Sequence, residues 1–393
     1  MDRNTDVLRP HPAGQAYVKH HSFTGFWSRI ASDEEHARRR AREKLAQNLR
    51  EESLPVKQRA VAEEALRALS SSDTTVQDFK ITPFIADELA RISDEAVSTY
   101  VIHRYRYDVY PDKRILDDYP PYLQIEPTSI CNYRCVFCYQ VDASFSRASS
   151  GHMGSMGFDL FKEIVDQVTG SIHFLSLASR GEPLIAREID KMLEYCSGKF
   201  LGLKLNTNAS LLDEKHCHAI LAGGVNTVVF SVDAAEEPLY SMLRVNGRLE
   251  QVLRNLELFH AIREKSYPRS KIITRISGVK VSAEQSMPAM VARWSDLVDQ
   301  ISFVAYNPWE NVYEAAPNGM GTPCSDLWRR MFVWYDGLVN PCDTDYKSTL
   351  SVGRIQGRDI SEIWRSEAYE RLRERHAAGE RAKLDPCRRC VVI

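Results

Sequence analysis

The sequence predicts an α/β protein built on a partial (β/α)6 barrel, with a helical N-terminal extension and a small C-terminal α+β domain. Short apolar runs alternate with amphipathic segments six times in the middle of the chain, which is typical of a parallel sheet with right-handed crossovers. The residues before this region have helical periodicity, and a hairpin pattern with a second group of cysteines follows it. The predicted domains are therefore 1–118, 119–310 and 311–393.

The N-terminal extension, residues 1–118, is charged and predicts three helices. A capping box from Ser32 to Glu35 precedes the first helix. The second helix is predicted over 53–69 and the third from Pro83 into Arg104. The run of basic residues in the first helix suits a contact surface or, as is more common, a solvated helix face.

Each predicted strand of the barrel is a short apolar or alternating run bounded by turn residues. The strands are 122–128, 171–179, 201–208, 227–234, 271–281 and 300–306, and the main helices between them are 158–168, 186–196, 213–223 and 247–265. In such an architecture the loops that follow the C-terminal ends of the strands carry the chemistry.

The C-terminal domain, residues 311–393, is expected to be stapled by its cysteines. Asp336 and Gly337 lie between two apolar runs, which is a strong β-hairpin pattern. A helix is predicted to follow, with Ser361 as its N-cap and Gly379 just beyond its end.

Composition and charge narrow the class of protein. The 393 residues include 51 basic and 53 acidic ones, for a formal net charge of −2, so we expect no nucleic-acid and no membrane partner. Residues 1–14 lack the apolar segment of a signal peptide, which predicts a cytoplasmic protein. In a reducing compartment, clustered members of the nine cysteines indicate a metal site or catalysis rather than disulfides.

A first cysteine group, Cys131, Cys135 and Cys138, directly follows the first predicted strand of the barrel. Three thiolates this close can hold one iron–sulfur cluster, and a cubane of four irons would keep one iron open for another ligand. The alternatives are a tetrahedral zinc site, for which His152 is the nearest histidine in sequence, and three ordinary core cysteines.

The spacing Cys-x3-Cys-x2-Cys, with Phe137 just before the last cysteine, resembles the signature of the radical S-adenosylmethionine (SAM) enzymes. The resemblance implies that SAM binds the open iron of a 4Fe–4S cluster. Reductive cleavage would then give methionine and a 5′-deoxyadenosyl radical, which takes a hydrogen atom from the substrate. A flavodoxin- or ferredoxin-type electron donor is implied as well.

The segment Arg180-Gly181-Glu182-Pro183 resembles the Gly-Gly-Glu-Pro motif of the same family and follows the second predicted strand. The resemblance implies that Glu182 meets the amino group of SAM. Arg180 stands where the family has its first glycine.

Later strand ends add further elements of the family. The resemblance implies a polar SAM contact for Asn206, and Ser231 and Asp233 resemble a Ser-Leu-Asp element that faces the ribose and methionyl part of SAM. Arg244 resembles the arginine that pairs with the SAM carboxylate, a role that suits its bidentate geometry. Taken singly, Asn and Asp at strand ends are also common turn formers.

A second cysteine group comprises Cys324, Cys342, Cys387 and Cys390. Its leading half resembles the start of the SPASM pattern, whose full form uses about seven cysteines for two clusters. Four cysteines resemble the truncated Twitch form, which implies one auxiliary 4Fe–4S cluster with no open iron. Such a cluster suits electron transfer or structural stapling. A structural zinc site with four cysteine ligands is the alternative.

These features predict a radical SAM enzyme of oxidoreductase type. The expected reaction is dehydrogenation, or epimerisation or rearrangement, of a polar and carbohydrate-like small molecule. A radical SAM enzyme that modifies a peptide or protein is the main alternative, and a non-catalytic iron–sulfur or zinc protein is the alternative from another class. No residue is assigned as the catalytic acid or base. Cys196 and Cys217 are expected to be small buried hydrophobes.

Overall fold

The computed structural model describes residues 16–19, 22–71 and 79–393. The expectation for the first 14 residues therefore lies outside the described residues. By its internal contacts the chain divides into two units, one of residues 29–117 and a larger one of residues up to 28 together with 118–393. Among the described residues, no helix is long and apolar enough to cross a membrane.

The smaller unit consists of helices and loops in its described part. Its helices are α1 Glu34–Arg50, α2 Val56–Ser70, α3 Pro83–Arg91 and α4 Val97–Lys113. The N-cap of α1 is Asp33, whose carboxylate accepts hydrogen bonds from the backbone N–H groups of Glu35 and His36. The prediction of Ser32 as the start of the capping box was therefore one residue early, because the longer carboxylate of Asp33 takes both amide donors.

The predicted third helix is interrupted, and its two parts are α3 and α4. Arg40 explains the break, because its guanidinium donates to the carbonyls of Leu89 and Ile92 and pairs with Asp94. Arg38 similarly donates to the carbonyls of Leu69 and Ser71 at the end of α2. These two members of the basic run of α1 thus satisfy carbonyl groups that helix ends leave without a partner.

The larger unit is organised around one ten-stranded sheet, with strand order β1-β7-β6-β5-β4-β3-β2-β8-β9-β10. The strands are β1 Phe23–Ser28, β2 Tyr122–Ile125, β3 Phe174–Leu177, β4 Gly202–Thr207, β5 Thr227–Ser231, β6 Ile273–Lys280, β7 Gln300–Ala305, β8 Arg330–Val333, β9 Leu338–Asn340 and β10 Gly353–Arg354. The helices are α5 Ala143–Ser146, α6 Phe158–Val168, α7 Ile189–Cys196, α8 Glu214–Ala222, α9 Glu237–Leu243, α10 Leu249–Ser266, α11 Met287–Trp294, α12 Asp326–Arg329, α13 Ile360–Trp364 and α14 Glu367–Ala377.

The six predicted barrel strands are confirmed as β2 to β7, and each pairs in parallel with the next. Two further strands extend them. β1 pairs antiparallel with β7, although no strand was predicted in the N-terminal extension, and β8 pairs in parallel with β2. The C-terminal residues therefore continue the sheet of the partial barrel.

The two faces of the sheet differ in polarity. One face packs on the helices through residues such as Leu123, Ile125, Leu177, Leu205, Phe230 and Ile276. Since successive side chains of a strand point to opposite faces, the other face carries Gln124, Ser176, Asn206, Arg275, Gln300 and Ser302. Parallel strands buried on both faces are usually apolar throughout, so the polar side chains distinguish this face from an ordinary buried one.

The predicted C-terminal hairpin is confirmed by the antiparallel pair β8 and β9, with Gly337 at φ +81° in its turn. The helix predicted after it is two helices, α13 and α14. The N-cap of α13 is Asp359, which forms a capping box with Glu362. Ser361 therefore lies inside the first turn and is not the cap, and its hydroxyl donates to the carbonyl of Asp118 instead.

A pair of leucines on α10 tests the orientation of this helix. Leu256 is 1% exposed and Leu258 is 37% exposed, so Leu256→Ala should lower the free energy of unfolding by about 2–5 kcal/mol. The matched control Leu258→Ala should change it by about 0.5 kcal/mol or less. Urea denaturation followed by circular dichroism measures both, and equal effects would contradict the orientation of the helix.

Candidate active site

The three cysteines of the first group lie together in the loop that follows β2. Cys131, Cys135 and Cys138 pack in one cluster with the buried rings of Tyr133 and Phe137. Burial raises the pKa of the Cys131 thiol to about 12, and the neighbouring carboxylate and thiol add to this effect. Burial also raises the pKa values of Cys135 and Cys138. A coordinating thiol is deprotonated by the metal. Three cysteines packed together in one loop supply the thiolates that an iron–sulfur cluster needs.

Arg244 lies directly beside this thiol group. Its Nη1 is 3.6 Å from the Sγ atom of Cys135, and its Nε donates to the carboxylate of Asp233. Its guanidinium is 5.6 Å from the ring centre of Phe137. The structure thus brings together four residues that the sequence singled out. The pairing of Arg244 with the carboxylate of Asp233 was not predicted from the sequence.

Glu182 is buried between the ends of β3 and β4. Its carboxylate accepts hydrogen bonds from the backbone N–H groups of Leu184 at 3.2 Å and Asn208 at 2.7 Å, and from the Thr207 hydroxyl at 2.6 Å. The pKa of Glu182 is raised overall, because the effect of burial exceeds the opposing effect of these hydrogen bonds. The carboxylate therefore joins two strand ends next to the thiol group, and a contact with SAM remains a prediction.

Asn206 and Ser231 lie on the polar face of the sheet, in β4 and β5. The side-chain oxygen of Asn206 is buried and has no hydrogen-bond partner, whereas buried polar atoms are nearly always satisfied. An unsatisfied acceptor on this face of the sheet fits a ligand that donates a hydrogen bond there. The residues at this edge of the sheet therefore suit a polar cofactor.

Arg180 forms a buried ion pair with Glu126 that the sequence analysis missed. Its Nε and Nη2 donate to the two carboxylate oxygens at 2.7 and 2.6 Å. Nη1 donates to the carbonyl of Tyr346 at 2.9 Å, and the guanidinium lies 4.1 Å from a ring centre of Trp334. One visible indication was Glu126 itself, an acid at the end of the apolar run YLQIEPT.

The two adjacent positions of the motif, 180 and 181, differ in the room that they offer a side chain. A Cβ atom added to Gly181 would lie 2.4 Å from the carbonyl oxygen of Thr128 and 2.5 Å from that of Ile130. Position 181 therefore has no room for a side chain, whereas the side chain of Arg180 has its own buried place.

One cavity, partly open to solvent, is lined by the four cysteines of the second group, Cys324, Cys342, Cys387 and Cys390. Burial raises the pKa of Cys324 to about 12 and raises those of the other three thiols too. Arg381 holds the loop, because its Nε and Nη2 donate to the carbonyls of Cys387 and Cys390.

This second group fits a four-thiolate cluster by its donor atoms. In the part of the chain that the structure describes, no group of three or more His, Cys, Asp or Glu side chains is arranged to hold a single metal ion. Cys196 and Cys217 lie apart in the apolar core, as expected for small buried hydrophobes.

Comparisons with known proteins place each of the two thiol groups within a matched domain family. Residues 125–281 match the radical SAM superfamily, and residues 324–391 match the SPASM iron–sulfur cluster-binding domain. The first match contains Cys131, Cys135 and Cys138, and the second contains all four cysteines of the second group.

Among curated proteins, the chain is 25% identical to the AdoMet-dependent heme synthase of Methanosarcina barkeri over 237 residues, which are 59% of this chain and 62% of the synthase. It is 26% identical to the GTP 3′,8-cyclase of Clostridium botulinum over 140 residues, or 35% of this chain and 42% of the cyclase. It is 24% identical to the mycofactocin maturase MftC of Mycobacterium tuberculosis over 228 residues, or 58% of this chain and 52% of the maturase. The chain thus spans less than two thirds of each of these relatives.

Two solved structures resemble the chain. BtrN in complex with AdoMet and 2-DOIA is 19% identical, covers 68% of this chain and 92% of its own, and gives a TM-score of 0.48. Streptococcus suis SuiB bound to the precursor peptide SuiA is 16% identical, and the match covers 81% of this chain and 78% of SuiB with a TM-score of 0.48.

A double-mutant cycle tests the ion pair between Arg180 and Glu126. Arg180→Met or Glu126→Leu should each lower the free energy of unfolding by about 3–5 kcal/mol, because each change leaves a buried charge without its partner. The double variant should lose at least about 1 kcal/mol less than the sum of the two. Urea denaturation of the four proteins measures the cycle.

The matched control for this cycle is the exposed pair of Arg354 and Asp336, whose side chains are 53% and 34% exposed. Arg354→Met should cost about 1 kcal/mol or less, as is usual for surface pairs. Strictly additive losses in the buried cycle would show that Arg180 and Glu126 do not stabilise each other.

Proposed function

We propose that this chain, which carries a radical SAM domain followed by a SPASM iron–sulfur cluster-binding domain, is an enzyme that abstracts a hydrogen atom from its substrate. These domains imply a SAM-binding 4Fe–4S cluster, SAM and auxiliary iron–sulfur ligation. One observation carries the proposal. The cysteines Cys131, Cys135 and Cys138 pack in one cluster, with Cys135 beside the Arg244 guanidinium, in the loop after a strand end where this architecture places chemistry.

When bound, a 4Fe–4S cluster and SAM supply a 5′-deoxyadenosyl radical. In this chain, Cys131, Cys135 and Cys138 would hold the cluster by three thiolates. The residues proposed to bind and orient SAM are Phe137, Glu182, Asn206, Ser231, Asp233 and Arg244. The burial of four of them, Phe137, Glu182, Asp233 and Arg244, would also exclude water from the site, which protects a reactive intermediate.

We further propose that the reaction is a dehydrogenation, or an epimerisation or rearrangement, of a polar and carbohydrate-like small molecule. The polar face of the sheet supports a polar substrate. The second group supports a redox-coupled reaction, since four thiolates saturate a 4Fe–4S cluster and suit it to accepting an electron. A flavodoxin- or ferredoxin-type protein would supply the electron for SAM cleavage.

Modification of a peptide or protein is the competing function. Peptide-modifying members of the family often carry a recognition domain with a short β-sheet and three helices. In the smaller unit, the residues that the structure describes form helices and loops with no strand. This composition favours the small-molecule proposal.

Loss of the first thiol group should abolish SAM cleavage and spare the second site. The triple variant Cys131→Ala/Cys135→Ala/Cys138→Ala should retain roughly four irons per chain and form no 5′-deoxyadenosine. Iron analysis and chromatography after anaerobic reconstitution measure both. Cys196→Ala is the matched control, because this buried cysteine lies in the apolar core and its loss should leave iron content and cleavage unchanged. Cleavage at the normal rate in the triple variant would reject the proposal.

The second thiol group should be needed for product but not for hydrogen abstraction. With a panel of sugars and aminocyclitols deuterated at carbinol carbons, Cys387→Ala/Cys390→Ala should still move deuterium into 5′-deoxyadenosine. It should form less than about a tenth of the oxidised product, because two of the four thiolates are missing. Mass spectrometry measures both.

The result of that experiment separates several functions. Full oxidised product at the normal rate would make the role of the second site structural and contradict its proposed role as electron acceptor, which is the main support for a dehydrogenation. Deuterium transfer in wild type from labelled peptides alone, and from no small molecule, would establish the competing peptide function. Cys217→Ala is the control for the loss of a buried thiol, since Cys217 lies in the apolar core.

A further inference from the structure

A buried set of aromatic side chains connects the two thiol groups. Tyr139, Phe145 and Tyr346, called here the aromatic bridge, form one buried cluster together with Val312. Cys138 of the first thiol group and Cys390 of the second both pack against this cluster. Tyr139 also follows Cys138 directly in sequence, and Tyr346 lies four residues after a ligand of the second group. The cluster that contains the bridge therefore contacts both groups.

The rings of the bridge are in mutual contact. Tyr139 and Tyr346 are stacked, with ring centres 4.9 Å apart and planes at 26°. Phe145 meets Tyr346 edge to face at 5.2 Å and Tyr139 at 5.8 Å, which are favourable aromatic geometries. The three residues are 3%, 0% and 1% exposed in the order Tyr139, Phe145 and Tyr346, so water does not separate the rings.

Hydrogen bonds at the edges of the bridge hold its rings in place. The Tyr139 hydroxyl donates to the carbonyl of Ser179 at 3.0 Å, and the Tyr346 hydroxyl donates to Asp142 at 2.9 Å. Arg180 donates to the carbonyl of Tyr346 at 2.9 Å and lies 5.4 Å from the ring centre of Phe145. Arg180, which replaces the first glycine of the motif, thus also contacts two residues of the bridge.

We propose that Tyr139 and Tyr346 form the path by which an electron passes between the groups held by the two thiol sets. Electronic coupling decays less steeply through atoms in contact than across gaps, and these two rings give a closely packed route. The inference rests on the proposed function, since it needs redox groups at both sites. One electron leaves one site, which is oxidised by one unit, and reaches the other, which is reduced by one unit. No bond is made or broken and no proton moves.

The ring contact, rather than the hydroxyl groups, carries the electron in this proposal. Tyr139→Phe/Tyr346→Phe keeps the stacked rings and removes both hydroxyls, whereas Tyr139→Met/Tyr346→Met fills similar volume without rings. A further control is Phe230→Met, which removes a buried ring from the helix-facing core. Iron analysis of every variant checks that roughly eight irons per chain are present.

The test injects less than one electron per chain into the reconstituted protein by flash photoreduction with 5-deazaflavin and a sacrificial donor. Rapid-freeze EPR then follows how the signals of the two sites redistribute with time. The triple variant of the first thiol group, which keeps only the second site, identifies each signal. No step of this experiment requires SAM cleavage, so methionine release after SAM addition tests the proposed function separately.

Redistribution should be at least tenfold slower in the double Met variant than in wild type, and within about twofold of wild type in the double Phe and Phe230→Met variants. A double Met variant within twofold of wild type, a slow double Phe variant, or no redistribution in wild type would each overturn the proposal. If the double Met variant fails to hold both sites, the single variant Tyr346→Met is compared with Tyr346→Phe by the same criteria.

Discussion

The buried pair of Glu126 and Arg180 is the interaction on which the geometry of the larger unit depends. Glu126 directly follows β2, the strand that pairs with β3 on one side and with β8 on the other. Its backbone N–H donates to Val333 and its carboxylate accepts from the N–H of Tyr335, so it also fixes the end of β8. The first thiol group follows β2 and Cys342 of the second follows the β8–β9 hairpin. One carboxylate thus sets the positions of both loops.

Such a pair is better understood as a constraint than as a source of stability. Removing two charges from water costs about as much as their attraction returns, so a buried ion pair is often neutral compared with apolar packing. The pair contributes a fixed orientation of the strand ends that it joins. The bidentate contact of Arg180 allows one arrangement of β2 and β3, and its third contact, to the carbonyl of Tyr346, places the residues after Cys342 against the same strand ends.

Both thiol groups lie in a setting that disfavours bare thiolates and provides cationic support. Burial raises the pKa values of the cysteines in each group, and a buried arginine lies beside each one. Arg244 approaches the Sγ atom of Cys135 directly, while Arg381 binds backbone carbonyls of Cys387 and Cys390. The first arrangement acts on the charge of a ligand, and the second fixes the loop that presents the ligands. This difference suits a reactive first site and a closed second site.

Local patterns in the sequence determined most of the elements and the identity of the cysteine groups, because strand alternation, helix periodicity and ligand spacing are properties of neighbouring residues. The strands β2 to β7, helix α6 and the hairpin at Gly337 were predicted for this reason. Pairings between distant residues were decided by the tertiary structure alone. β1 became a strand because it lies against β7, with Phe23 opposite Val304, and nothing near residue 23 encodes that partner. The same holds for Arg180 with Glu126 and for Arg244 with Asp233, since a charged side chain is buried only where folding brings its counter-charge within hydrogen-bond distance.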